Sequence, residues 1–294
     1  MQFDVTKLKK RSSFPFETIA VAIAFSPRLE AVLSEAKRIA FVFDSSLLLI
    51  HVGAKSQSKE DKLDKMMTKL GLDSKLVRVI WMDEGKAADS ILKLCKLNIV
   101  DLLILGALKK ENLLKYYIGS LARNISRKAK CSVLLLANPN IEAGVPKKII
   151  VSGVENPKTK HTINTAIYFS SSYNINDITI VKEIDVTGLA MTIADDSSAP
   201  EAKEIRKTMN EEEEEKLKEV IKQCNTKGIT IKEKLIKGKP GYAISKYARD
   251  KKADLLVINS PDTHLNVFDR IFTHDIEYIL ADLPSNVLIV HSRI

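Results

Sequence analysis

Asp101-Leu102-Leu103-Ile104-Leu105-Gly106 recurs later in the chain as Asp254-Leu255-Leu256-Val257-Ile258-Asn259. An acid followed by four continuous apolar residues suits a strand covered on both faces, as in the middle of a parallel sheet. Upstream, each copy follows a helix opening near Gly-Lys, Gly85-Lys86 and Gly238-Lys239. Downstream, each copy closes on an apolar strand, Val133 to Leu136 and Val287 to Val290. The beginnings match as well. Phe16 to Ile23 runs into Ser26-Pro27, and Lys147 to Val151 runs into Asn156-Pro157. Repetition with preserved order of elements means duplication of a whole domain.

The spacing locates an insertion. The first strands lie 130 residues apart and the Asp-Leu-Leu strands 153 apart, so about 23 residues enter the second copy. They fall near residues 185–215, where Ser197-Ser198-Ala199-Pro200 precedes the acid run Glu211 to Glu215. That composition reads as a surface elaboration, with the glutamates on a solvated helix face paired to Lys216 and Lys218. Within each copy, short apolar runs alternate with helical periodicity. In the first copy strands are expected at 18–24, 46–52, 75–82, 102–106 and 133–136, and helices at 28–41, 59–70, 86–97 and 119–129. Leu29, Val32, Leu33, Ala36, Ile39 and Ala40 form one helical stripe. The fold class is α/β, two tandem doubly wound parallel-sheet domains. The first domain spans 1–138, a short linker rich in Pro, Gly and Asn covers 139–146, and the second domain spans 147–294.

Composition agrees. The chain has 294 residues, 45% hydrophobic and 28% charged, which divides into two domains of ordinary size. No apolar run is long enough to span a bilayer. Cys95, Cys131 and Cys224 are too few and scattered for a disulfide framework or zinc site, so a reducing cytoplasm is expected. Residues 1–144 hold 24 basic and 15 acidic residues, whereas the remainder holds 22 of each. This basic first half admits nucleic-acid association, but the lysines lack interleaved aromatics and read better as a solvated surface.

In open α/β sheets ligands bind beyond the carboxyl ends of the strands where strand order reverses. The candidate here is Gly106-Ala107-Leu108-Lys109, then nine residues, then Gly119-Ser120 opening a helix. Gly106 would allow close backbone approach, while Gly119 and Ser120 would supply free amides and a capping hydroxyl. The plainer reading is a strand end and an ordinary helix start. His51 reads as a half-buried strand histidine, and Cys95 and Cys131 as small buried thiols. His264 and His274, with Asp269 and Asp275, form no convergent metal or acid–base set.

With these residues the chain resembles the universal stress protein family in its tandem two-domain form. The resemblance rests on Ile19 to Ala22 with Ser26-Pro27, Leu49-Ile50-His51-Val52, Asp101 to Gly106, and Gly119-Ser120-Leu121-Ala122 running to Ala129-Lys130-Cys131-Ser132-Val133-Leu134. It implies adenine nucleotide alpha hydrolase-like, Rossmann-type domains forming a pseudo-dimer through their last strands. ATP-binding members carry Gly, two residues, Gly, nine residues, Gly-Ser/Thr, and an Asp ending the first strand. The matching positions are Val52, Gly106, Gly119 and Ser120. Lys109 stands at the second glycine and Ala24 at the Asp. In the second copy Asn259, Asp262 and Phe272 or Thr273 replace the loop glycines and Val154 replaces the Asp, so no ATP binding is expected there.

The resulting expectation is a non-catalytic, cytoplasmic stress-response protein with at most a weak adenine-nucleotide or anion site in the first domain. The cofactor that site would take is ATP or another adenine nucleotide. The competing readings are an ATP-hydrolysing enzyme of the same fold, for which the loop offers Lys109, Lys110, Lys115 and Glu111, and a nucleic-acid-associating protein. The expected partners are the two domains for each other, with a homodimer left open and no membrane.

Overall fold

The computed structural model describes residues 14–72, 77–83, 85–109, 116–185, 199–226, 228–261 and 272–291. Its elements follow the duplication. The first half runs β1 (Thr18–Ala22), α1 (Leu29–Phe43), β2 (Ser46–Val52), α2 (Gln57–Leu70), β3 (Val77–Met82), α3 (Ala87–Leu97) and β4 (Leu102–Gly106). Then come the short β5 (Leu108–Lys109) and β6 (Tyr116–Tyr117), α4 (Ser120–Lys128) and β7 (Ser132–Leu136). The second half runs β8 (Ile149–Ser152), α5 (Thr159–Ser172), β9 (Asp177–Ile184), α6 (Ala199–Lys222), β10 (Thr230–Lys237), α7 (Tyr242–Asp250), β11 (Leu255–Asn259), α8 (Phe272–Ala281) and β12 (Asn286–Val290).

Ten strands form one sheet in the order β10-β9-β8-β11-β12-β7-β4-β1-β2-β3. Every pair in it is parallel except β12 with β7, where Val287 faces Leu135 and Ile289 faces Val133. The last strands of the two halves therefore join antiparallel, and each half covers the other's sheet edge. Leu102, Leu103, Ile104, Val133, Leu135, Val287 and Ile289 are fully buried, as their unbroken apolar runs require. One core lies under α1, α2, α5 and α6, and the other under α3, α4, α7 and α8. Among the described residues no helix is long and apolar enough to cross a membrane.

The acid that opens the repeated motif has a structural role. Asp101, wholly buried, accepts from the backbone N–H of Glu17 and Thr18 through Oδ2. Asp254 Oδ2 accepts in the same way from Lys147 and Lys148, both at 2.8 Å. Each carboxylate ties the entry of one strand to the start of its neighbour by taking two backbone amides, at a buried site for Asp101 and an exposed one for Asp254.

Further contacts lock the halves together. Arg123 and Arg127 of α4 meet the two carboxylate oxygens of Glu277 on α8, at 2.6 and 2.5 Å. Phe16 and Phe43 pack on Tyr168 of α5, with ring centroids 5.4 and 5.3 Å away.

Two sequence expectations change. β1 ends at Ala22, since Ser26 N–H bonds back to Ala24 O in a turn, so Ala24 lies in the loop beyond the strand. The acid run is also more than a solvated face. Glu214 does pair with Lys218, at 3.0 Å and four residues apart. Glu213, however, turns inward to Lys182 on β9 at 2.5 Å, where the lysine side chain is only 5% exposed. Burying Lys182 without a carboxylate would strand a charge, so the long helix α6 supplies one. Of the expected insertion, residues 186–198 lie outside the described set.

Candidate functional site

Strand order reverses between β4 and β1, which places the crest of the first half above their carboxyl ends. Gly106 ends β4 and Gly119 is the N-cap of α4. Between them Leu108 pairs with Tyr117 and Lys109 with Tyr116, so the arms of the glycine loop zip into a short antiparallel ladder. Lys110, Glu111 and Lys115 lie outside the described residues. Val52 ends β2, two strands from β4 and so about 10 Å away, a distance a nucleotide can span.

The glycines allow close packing and do not serve a left-handed backbone. Gly119 has φ −66°, and a Cβ there would sit 3.1 Å from Leu108 Cδ1. A Cβ on Gly106 would sit 3.2 Å from Val32 Cγ2. No side chain caps α4, so the expected capping hydroxyl is absent from this end. Gly119 takes the N-cap position, and exposed Ser120 is the first helical residue. The first-turn amides are left facing the crest, where the helix dipole favours negative charge.

Sequence reading missed a cation of this crest. Arg28, N-cap of α1, donates to Ala107 O at 2.6 Å and Ala137 O at 2.8 Å, bridging the ends of β4 and β7. Its guanidinium lies 5.4 Å from the centre of the Tyr116 ring. Burial lowers its pKa, while the more distant Tyr116 and Glu35 raise it. The available signal was the turn Ser26-Pro27-Arg28, which reappears as Asn156-Pro157-Lys158. In the second half Lys158 Nζ reaches Ser260 O and Oγ at 3.4 and 3.2 Å.

Beside the crest, His51 is buried more deeply than expected, at 7% exposure. Its Nδ1 lies 3.1 Å from Ile23 O, and the edges of Phe25 and Trp81 enclose the ring. Cys95 and Cys131 are buried free thiols, and hydrogen bonding to Cys131 followed by burial pushes the Cys95 thiol up.

The register pairs Ala22 with Ile50 and Ser152 with Val181, so Lys182 takes the place of His51 and Glu183 that of Val52. Glu183 Oε1 accepts from Ile244 N–H at 2.8 Å in the first turn of α7. Lys182, Glu183, Glu213, Asn259 and Ser260 line a cavity of about 230 Å³ over this second crest. His291, in the place of Ala137, is held neutral, with its pKa lowered to about 3 by burial and then by Lys158. Val154 lines the same cavity. Asp262, His264 and Asp269 lie outside the described residues, as do the side chains of Phe272, Thr273, His274 and Asp275.

This doubled architecture with a glycine-bounded crest matches one family model twice, that of the universal stress protein family, over residues 15–137 and 178–291. The chain belongs to the universal stress protein family. The second match begins at β9, yet β8 and α5 stand where β1 and α1 stand in the first half. Among solved structures, a functionally unknown protein from Pseudomonas aeruginosa PAO1 is similar at 17% identity and TM-score 0.66, covering 98% of this chain and 95% of its own. A universal stress protein from Archaeoglobus fulgidus DSM 4304 is similar at 12% identity and TM-score 0.58, covering 96% and 97%. At these identities the likeness is one of fold. No curated protein sequence matches the chain.

Proposed function

We propose that this member of the family is a non-catalytic, cytoplasmic stress-response protein with one weak anion or adenine-nucleotide site, at the first crest. The observation that carries the reading is the contrast between the two crests. At the first, Arg28 and the open amides of α4 gather positive potential, and among the described residues Arg28 donates to the neutral carbonyls of Ala107 and Ala137. At the second, Glu183 fills the place of Val52 and takes up an α7 amide, and Glu155 and Glu213 surround Lys182. An anion is attracted to the first, whereas at the second the chain's own carboxylates already occupy the Lys182 ammonium and an α7 amide.

Affinity at the first crest is limited by the base end. Ala24 cannot accept a hydrogen bond from adenine, a loss of about 1–3 kcal/mol, or roughly ten- to hundredfold in affinity. Phosphoryl transfer needs a carboxylate-held metal and an activated nucleophile. The cations and amides at this crest bind an anion without activating one.

Calorimetric titration of the full chain tests the reading. Pyrophosphate and Mg-ATP should bind with dissociation constants on the order of 100 µM or weaker, and binding should fade with salt. Gly119→Val, which drives a side chain into Leu108, should remove the binding. Ala24→Asp should strengthen ATP over pyrophosphate. Low-micromolar ATP binding by the unaltered protein, or steady ATP turnover, would contradict the proposal.

A further inference from the structure

The second arm of the glycine loop is held from the other half of the chain. Ile118 N–H donates to Leu280 O of α8 at 3.0 Å, and Leu283 N–H, just beyond that helix, donates to Tyr116 O at 2.9 Å. Arg123 of α4 adds a third tie. Its Nε donates to Ile118 O at 2.8 Å, while a terminal nitrogen donates to Glu277 Oε2 at 2.6 Å. One planar guanidinium thus joins the loop, the helix that the loop opens, and the second half. Arg127 meets the other oxygen of Glu277 and, among the described residues, no part of the loop.

The carbonyl of Ile118 and the N–H of Gly119 belong to one planar trans peptide unit and point in opposite directions. Holding Ile118 O towards the body of α4 therefore turns Gly119 N–H out of the helix end, towards the crest. Aim matters, because a hydrogen bond weakens steeply as its angle closes. No side chain caps α4 to do the aiming. The peptide is steadied from behind, and the carboxylate that fixes the arginine comes from the second half. Duplication supplies the pair. Arg123 and Glu277 each lie nine residues before the residue that opens their last strand, Ser132 and Asn286. Those strands cross antiparallel with Leu134 opposite Leu288, so equivalent helix positions approach each other across the seam. Like residues there would set like charges together. Of the two that are present, the arginine can donate to a loop carbonyl and the carboxylate cannot.

We infer, resting on the anion site proposed above, that Glu277 of the second half is a positioning residue of that site, acting through Arg123 on the Ile118–Gly119 peptide. The anion site is then built by both halves: the first supplies the amides and the second fixes their direction.

Charge and aim have opposite signs here. Glu277→Gln removes a negative charge, so charge alone would tighten binding of an anion. Loss of aim should instead weaken pyrophosphate binding about tenfold. Arg123→Lys keeps the charge but replaces the rigid fork with a mobile point charge, and should weaken binding by about the same factor. Arg127→Lys disturbs an ion pair whose arginine is 54% exposed, and should stay within about twofold. Calorimetric titration of the full chain with pyrophosphate reads all three, and near-UV circular dichroism confirms the fold of each. Hydrogen exchange without ligand reads the clasp alone. Ile118 N–H should exchange about tenfold faster or more in Glu277→Gln and in Arg123→Lys than in the unaltered chain. If the unaltered chain binds pyrophosphate and both variants bind it equally well or better, the positioning role is overturned and the anion site stands. Unchanged exchange at Ile118 in both variants would overturn the role as well. An unaltered chain that binds no pyrophosphate would overturn the anion site itself, and the role with it.

Discussion

Glu213→Leu is expected to destabilise the protein by about 3 kcal/mol, because it leaves the buried Lys182 ammonium with only the exposed Glu155, at 3.7 Å, as a carboxylate partner. Lys182→Met with Glu213→Leu should return stability to within about 1 kcal/mol of the unaltered protein, since replacing both partners of a buried pair with apolar groups is close to neutral. Urea unfolding of the two single variants and the double variant gives the coupling directly. If Glu213→Leu alone costs nothing, Lys182 is neutralised by another route. The pair also sets a pH dependence. Burial opposes ionisation of Glu213, but hydrogen bonds from Lys182 and Lys216 outweigh it and hold its pKa below the usual carboxylate value. A depressed folded pKa contributes stability that is present above the unfolded value and lost as pH falls through the folded one. The contribution should therefore disappear on acidification below about pH 4.5, the unperturbed carboxylate value, and the double variant should lack that part of the acid sensitivity.

Leu135→Ala is expected to cost about 3–4 kcal/mol. Leu135 is wholly buried on β7 and faces Val287 across the antiparallel join of the two halves. Removing it opens a void between the halves and removes a cross-strand contact. Because the seam joins both halves, near- and far-ultraviolet signals should fall together in a single transition at lower denaturant. Two separated transitions in the unaltered protein would show that the halves unfold independently.

How much of this can be read beforehand depends on the range of the interactions. The strands are legible because Leu102 to Leu105 and Leu255 to Ile258 need cover on both faces, a local property of sequence. The seam is legible through the duplication, since two homologous last strands, Val133 to Leu136 and Val287 to Val290, are available to meet. Arg28 is not legible. It crosses 79 residues to Ala107 and 109 to Ala137, and the repeated turn Ser26-Pro27-Arg28 and Asn156-Pro157-Lys158 marks a basic position without showing that it bridges two strand ends. Lys182 gives a faint signal, as a charge closing the apolar run Ile178-Thr179-Ile180-Val181. Its partner lies on a helix that reads as wholly solvated. Glu213 differs from Glu212 and Glu214 only in rotation about the helix axis, and a run of identical glutamates hides which one faces the sheet. Gly106 and Gly119 stand out by their spacing, whereas their packing on Val32 and Leu108 emerges only in three dimensions.

The central claim is that duplication produced two crests that diverged, one open to an anion and one filled by its own carboxylates. Amide hydrogen exchange of the full chain, with and without excess pyrophosphate, tests it most directly. The account predicts slower exchange at the first turn of α4, in Gly119 to Ala122, with no change along β9 or in the first turn of α7. Protection at Lys182 to Ile184 or at Tyr242 to Ile244, equal to or greater than that in α4, would contradict it.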